Sequence, residues 1–239
     1  MIIDAQNLSY SQINTLLKEH GGDIQIRNCL GHRFLAAGLN EGNISIDGIP
    51  GNALGAYLNG ASIEVNGNAQ DAVGDTMNGG RIVIHGSIGD AAGYAMRGGE
   101  LFVLGSAGYR AGVHMKAYED KLPVMVIGGC AGSFLGEYQA GGLIIVLGIT
   151  EKNRKIVSNF PCTGMHGGKV FLRSDCDGII FPGQVNHRIA QPQELEEIRP
   201  YIEKFCTVFG SDAGEIMNSN FTLVTPDSQN PYKQMYVAN

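Results

Sequence analysis

The sequence predicts an all-β protein: a parallel β-helix, a solenoid of about seven to eight coils with short helices capping its N- and C-terminal ends. Three observations predict it. Glycine makes up 35 of 239 residues, about 15% and roughly double the ordinary ~7%. Residues 1–20 hold none of these glycines and 184–239 hold only Gly210 and Gly214, so the other 33 lie between Gly21 and Gly183. Within that stretch the sequence repeats with a period of 19 residues, in two columns that keep phase. A hydrophobic fraction of 44% is too high for a disordered linker, and eight prolines with no strict Gly-X-Y repeat exclude collagen.

The first column is a short apolar strand. ISIDG (44–48), IEVNG (63–67), IVIHG (82–86) and LFVLG (101–105) align without gaps, and VMVIG (124–128), IIVLG (144–148) and VFLRS (170–174) follow at wider spacing. IQIRN (24–28) is an earlier copy. The second column is a small-residue segment bounded by glycine: GAYLNG (55–60), GDTMNG (74–79), GYAMRG (93–98), GVHMKA (112–117), GEYQAG (136–141) and a degraded CTGMHG (162–167). A 19-residue unit is too short for a helical repeat and lacks the leucine-rich pattern. It suits one coil of a β-helix, in which each strand lands on its counterpart one coil below, ~4.8 Å away. Gly55, Gly74, Gly79, Gly93, Gly98, Gly112, Gly136, Gly141 and Gly167 are then structural glycines at the turns, where a positive φ is cheapest for glycine.

Strand alternation places Ile44, Ile63, Ile82 and Leu101 inside, together with Ile46, Val65, Ile84 and Val103. The outward position between them reads Ser45, Glu64, Val83, Phe102, Met125, Ile145, Phe171. Its first two residues suit water. The next five form an apolar stripe that something must cover. Two occupants fit: the chain's own C-terminal segment, or a partner subunit.

The ends supply the caps that a solenoid needs. Residues 1–22 are expected to form an N-terminal capping helix, Ser9 to His20, with apolar Ile13, Leu16 and Leu17 and a stop at Gly21-Gly22. The β-helix spans 23–183. Residues 184–239 supply C-terminal helices and a tail packed on the rod. The first of these helices, Gln193 to Phe205, follows Pro192 and is interrupted by Pro200, where a kink or split is expected. The tail reads as a short strand and an extended segment.

Net charge is −6 and the sequence pI about 5.5, which argues against nucleic acid and anionic membranes as partners. The N-terminus has no signal-peptide pattern, and the longest strongly apolar run, Leu143 to Leu147, is far short of a membrane span, so a cytoplasmic location is expected. Five cysteines with no C-x-x-C read as free thiols. No P-loop, dinucleotide fingerprint, H-E-x-x-H or G-x-S-x-G is present. The polysaccharide-cleaving chemistry common on β-helices needs converging carboxylates, and Asp47, Glu64, Asp75, Asp90 and Glu137 occupy different columns. Arg97, Tyr109, Arg110, His114 and Lys116 fall in or between neighbouring small-residue segments. They form either a polar contact patch for a partner or a phosphate, or simply solvated corners.

The units GDTMNGG (74–80), GYAMRGG (93–99) and GEYQAGG (136–142) resemble the G-x-G-x-G β-helix domain at the C-terminus of the glutamate synthase large subunit. The resemblance covers nearly the whole chain and implies a right-handed β-helix. The fold is shared with one subunit of formylmethanofuran dehydrogenase and one of methylamine–glutamate methyltransferase. The tail favours glutamate synthase: a helix, Gly210-Ser211, a second short helix ending near Met217, then Phe221, Val224, Pro226 and Tyr232-Lys233. Gln139 where Met is usual, Cys162 in place of a repeat glycine, and Ser211 without a preceding Thr-Gly depart from the pattern. The resemblance implies a stand-alone, non-catalytic scaffold subunit of a split glutamate synthase. It would dock a glutaminase-like amidotransferase subunit and an FMN/iron–sulfur synthase subunit. No catalytic residue, cofactor or metal is expected on this chain, and a homo-oligomer stays open. A scaffold in one of the two related complexes is the alternative.

Overall fold

The computed structural model of the chain describes residues 1–150 and 154–228; Tyr232, Lys233 and Tyr236 of the tail lie outside the described residues. The chain forms a β-solenoid of about eight turns. Nine strands stack in sequence order and all pair in parallel: β1 (Ile2–Asp4), β2 (Asp23–Leu30), β3 (Asn43–Ile49), β4 (Asn59–Asn66), β5 (Gly79–Ile84), β6 (Glu100–Val103), β7 (Val124–Ile127), β8 (Ala140–Val146) and β9 (Gly167–Leu172). The sheet ends on two antiparallel strands, β10 (Val185–Ile189) and β11 (Thr222–Pro226), with β11 inserted between β9 and β10.

The register follows the 19-residue period. Ile44 pairs with Ile63, Ile63 with Ile82, and Ile82 with Leu101, and these side chains fill the interior with Ile46, Val65, Ile84 and Val103. One strand departs from expectation. In β7 it is Val124 that pairs with Glu100, Met125 with Leu101 and Val126 with Phe102. Met125 therefore points into the solenoid, and Val126 takes the stripe position assigned to it from the sequence. The cause is a one-residue slip, which in a strand exchanges the two faces. The preceding coil carries extra residues in a small turn where Tyr118 pairs with Lys121, and the doublet Gly128-Gly129 leaves two ways to set the register. Gly129, not Gly128, stands over Gly105, to which it donates a hydrogen bond of 2.8 Å.

Helix α1 (Tyr10–His20) closes the first coil. Ser9 and Gln12 form a capping box: the Gln12 N–H donates to Ser9 Oγ at 3.3 Å and the Ser9 N–H to Gln12 Oε1 at 2.8 Å. Ile13 and Leu17 bury against Ile24 and Ile26. Strand β1 precedes this helix and pairs with β2, so the N-terminal segment is more than a helix.

At the other end α2 (Pro192–Phe209) runs unbroken through Pro200, followed by the short α3 (Ala213–Met217). A proline inside a helix costs about 3 kcal/mol or more. Here the helix holds because one face is buried: Ile198, Ile202, Phe205 and Cys206 pack on Val83, Phe102, Val126, Ile145 and Phe171. The apolar stripe is thus covered by the chain itself. The path of α2 can be traced across the strands. Glu197 pairs with Lys169 on β9, Lys204 with Glu100 on β6, and the Phe209 ring meets His85, just past β5, at 5.2 Å. Helix residues 197 to 209 rise ~18 Å at ~1.5 Å each. The four strand spacings from β9 to β5 come to ~19 Å. The helix segment from Glu197 to Phe209 is as long as the stripe it closes.

The small-residue segments form the opposite face, here called the turn face. Its backbone is unusual, because left-handed residues recur at every second position: Ala72, Gly74 and Thr76 in one coil, Ala91, Gly93 and Ala95 in the next, then Arg110, Gly112 and His114. Their N–H groups point alternately to the coils on either side: Ala72 to Asp90 O, Gly74 to Leu54 O, Thr76 to Tyr94 O. Each left-handed non-glycine residue costs roughly 1–2 kcal/mol, and the stacked hydrogen bonds on both sides offset it. Cys162 keeps this conformation, at φ 60°, in the column where earlier coils have glycine.

The turn glycines divide into two kinds. Gly55, Gly74, Gly93, Gly112 and Gly136 are left-handed as expected, with φ of 64–72°. At the second boundary the left-handed residue is the following one, Gly80, Gly99, Gly142 or Gly168. Gly98, Gly141 and Gly167 answer to a different need, close backbone approach: a Cβ on them would stand 2.6, 2.6 and 2.3 Å from Asn78 O, Ala117 N and Ala140 O. Gly79 has room for a Cβ, with nothing nearer than 3.7 Å.

Candidate functional site

The site is built from the outward residues of the turn face. Their columns are set by the same ladder: successive coils present Ala91, Arg110, Phe134 and Phe160 in one line, and Ala95, His114 and Tyr138 in another. In the first line the Arg110 guanidinium lies 5.0 Å over the Phe134 ring, and Phe134 stacks on Phe160 at 5.2 Å. In the second, His114 stacks on Tyr138 at 5.2 Å and 9°, while Tyr94 meets His114 edge-on at 6.0 Å. Phe160 is 60% exposed, and Tyr94 and Tyr138 42% each. Aromatic rings offer large contact area at low entropic cost and are enriched where proteins meet. These rings are held in place by a backbone hydrogen-bonded to the coils on either side.

The polar residues singled out from sequence do not make one patch. Arg110 and His114 share a coil of the turn face, but the Arg110 charge is matched by Glu137, Nε to Oε2 at 3.0 Å. Arg97 and Lys116 stack at the next corner, where the Lys116 N–H donates to Met96 O at 3.0 Å and the Arg97 guanidinium lies 5.8 Å over Tyr118. Tyr109 sits at the preceding corner, its N–H bonded to Asp90 Oδ1 at 2.8 Å and its side chain exposed.

The remaining acid and thiol groups carry structural duties. Asp71 and Asp90 do stack one coil apart, a pair that the assignment of the acids to separate columns missed. Asp71 Oδ1 accepts from the Asp90 N–H at 2.9 Å and Asp90 Oδ1 from the Tyr109 N–H, so both carboxylates tie corners together. Asn68, Ser87 and Ser133 do the same in neighbouring columns. Cys29 lies 3.8 Å from His32 Nδ1 beside a cavity of about 500 Å3. The Leu30 N–H donates to that nitrogen and His32 Nε2 donates to Leu8 O, which fixes the tautomer. Burial pushes the Cys29 thiol up to about 11, away from the thiolate a nucleophile needs, while His32 ties Leu30 to Leu8. All five cysteines are unbridged and buried, and Cys162 is pushed up to about 12 by burial. Among the described residues no group of three or more His, Cys, Asp or Glu could hold a metal ion, and no helix is long and apolar enough to cross a membrane.

The model of the GXGXG motif family matches residues 13–228 of the chain. The chain belongs to the GXGXG motif family. This is the domain found in the glutamate synthase large subunit. Another protein of similar sequence is the uncharacterized protein MJ1350 of Methanocaldococcus jannaschii, 42% identical over 250 residues that span 99% of this chain and 96% of that protein. A chain in the crystal structure of the formyltransferase/hydrolase complex (FhcABCD) from Methylorubrum extorquens, in complex with methylofuran, superposes with a TM-score of 0.65 at 18% identity. The match covers 94% of this GXGXG chain and 95% of that one, and it shows a common fold.

Proposed function

We propose that this GXGXG chain is a non-catalytic scaffold subunit of a multi-subunit enzyme and that its turn face is where the other subunits dock. One observation carries the reading: the Phe134–Phe160 stack under the Arg110 guanidinium and the His114–Tyr138 stack, met edge-on by Tyr94, are pre-arranged on the surface, with Phe160, Tyr94 and Tyr138 exposed. The opposite, apolar face is already occupied by α2 and offers no comparable surface. The complex we favour is a split glutamate synthase, with a glutaminase-like amidotransferase subunit and an FMN/iron–sulfur synthase subunit as partners. The order of the C-terminal elements supports this choice: α2, Gly210-Ser211, α3 and then β11 follow the sequence pattern that resembles the end of the glutamate synthase large subunit.

A second reading has its own support. The structural neighbour covering 94% of the chain comes from a formyltransferase/hydrolase complex, so a scaffold in a complex of that kind is the alternative. Affinity purification of the native protein with identification of the bound chains separates the two. Co-purified amidotransferase-like and flavin/iron–sulfur chains support the first, and formyltransferase-type chains the second. Isolation of the protein alone from cells that express both sets would overturn the scaffold reading. Phe160→Asp together with Tyr138→Asp is expected to release the partners while leaving the thermal melt within a few degrees of the parent.

A further inference from the structure

At the corner where β8 and β9 end, a cavity of about 220 Å3 is lined by Arg154, Lys155, Arg173, Ser174 and Asp177 among others. Three of these are cations and one is an acid, on a chain whose net charge is −6. Arg173 is half-buried and is aimed by two hydrogen bonds, Nε to Ser219 Oγ at 2.9 Å and Nη1 to Leu147 O at 3.0 Å. The Lys155 ammonium donates to Gly178 O at 3.1 Å. All three acceptors are neutral, and neither cation pairs with a carboxylate among the described residues, Asp177 included. A guanidinium carries five N–H donors and an ammonium three, so most of their donor capacity stays open. Taking the Arg173 charge partly out of water without an opposite charge is costly, and an anion in the cavity removes that cost; Lys155 is exposed and adds its charge from the rim. The size narrows the ligand. Pockets for organic cofactors run to ~300–1,000 Å3, and this one suits a small ion or a single terminal group.

We propose that this cavity is an oxyanion site and that it binds phosphate, free or as the terminal phosphoryl group of a larger molecule. Arg173 supplies the planar donors and Lys155 the point charge. Asp177 on the same wall opposes their positive field. The site lies at the sheet corner, away from the ring columns, so it stands or falls independently of the docking role.

The test is calorimetric titration of the full chain with inorganic phosphate, at an ionic strength held constant with chloride. Saturable binding with a Kd of ~1 mM or tighter is expected. Arg173→Gln and Lys155→Gln should each weaken it at least tenfold, and Lys116→Gln should leave it unchanged. Arg173 also closes a backbone carbonyl, so Lys155→Gln, whose ammonium touches only a loop oxygen, keeps the test decisive should the arginine variant fold poorly. Competition by phosphoserine identifies an esterified phosphoryl group as an acceptable ligand, and its exclusion restricts the site to the free ion; the site is supported in both cases. Absence of saturable binding, or equal binding by the parent and by Lys155→Gln, overturns the proposal.

Discussion

Gly112 and Ile144 meet across the interior of the solenoid. The Ile144 Cδ1 stands 2.4 Å from the point a Cβ on Gly112 would occupy, and Gly112 also holds φ at 72°. The turn face and the sheet face of the rod approach each other here as closely as backbone and side chain allow. Gly112→Ala should therefore cost twice: ~1 kcal/mol or more for the left-handed backbone and a further ~1–3 kcal/mol for overpacking against a stiff β-branched side chain. Gly210→Ala is the control, because Gly210 has φ of 70° and open space around its missing Cβ. Thermal melts should show the Gly112 variant falling several degrees further than the Gly210 variant. Equal losses would mean that the interior contact is absent.

Phe102, on β6, is fully buried under α2, packed with Ile198, Ile202 and Phe205 in one cluster. Phe102→Glu places an unpaired carboxylate there. The expected outcome is detachment of α2 before loss of the coils, seen as rapid proteolysis after residue 190 while strand circular dichroism persists. Simultaneous loss of both would show that the helix and the rod are one cooperative unit.

Gln139 stands in the interior column occupied elsewhere by Met77, Met96, Met115 and Met165. Its amide nitrogen donates to Gly141 O and Gly142 O at 3.2 and 3.1 Å, but Oε1 is buried with no partner. An unsatisfied buried oxygen costs about 1–3 kcal/mol. Gln139→Met restores the column's usual residue and should raise the melting temperature by a few degrees. A lower melting temperature would mean that the two donated bonds outweigh the orphaned oxygen.

Glu194 accepts from Arg188 through both carboxylate oxygens, at 2.6 and 2.7 Å, and joins the start of α2 to β10. The Arg188 hydrogen bonds hold its carboxyl at about 2, below its ordinary 4.5. A carboxyl depressed in the folded state stabilises the protein above its unfolded value and loses that contribution as pH falls through the folded value. The parent should thus lose stability between pH 4.5 and 2 more steeply than Glu194→Gln, as read from melting temperatures across that range.

The sequence made the repeat legible because a parallel stack has one register, and any residue that slips changes face. That is why Ile44, Ile63, Ile82 and Leu101 could be placed inside by counting alone. Counting failed where the period did. The coil leading to Val124 is longer, and only Gly129 over Gly105 would have set it correctly. Strand β10 was invisible for another reason: Asn186, His187 and Arg188 are exposed and show no apolar alternation, so the strand exists only through pairing with β11. On the turn face the left-handed conformations of Arg110, His114, Phe134 and Tyr138 carry no local signature, and the ring columns that they align could not be read from spacing. The pairing of Asp71 with Asp90 was 19 residues apart in plain view, but it lay outside both columns used to find the period.

The match between the 197–209 segment of α2 and its stripe bears on where this architecture can gain or lose material over evolutionary time. A coil duplicated among β2 to β4 adds one more rung beneath a water-facing surface and asks nothing of the rest of the chain. A coil duplicated between β5 and β9 lengthens the stripe by ~4.8 Å. To stay registered, α2 would need about three more residues at ~1.5 Å each, and three residues fall short of a full 3.6-residue turn, so the helix would present a rotated face. The closing helix acts as a ruler. Relatives of different size should differ in their first coils and agree in their last.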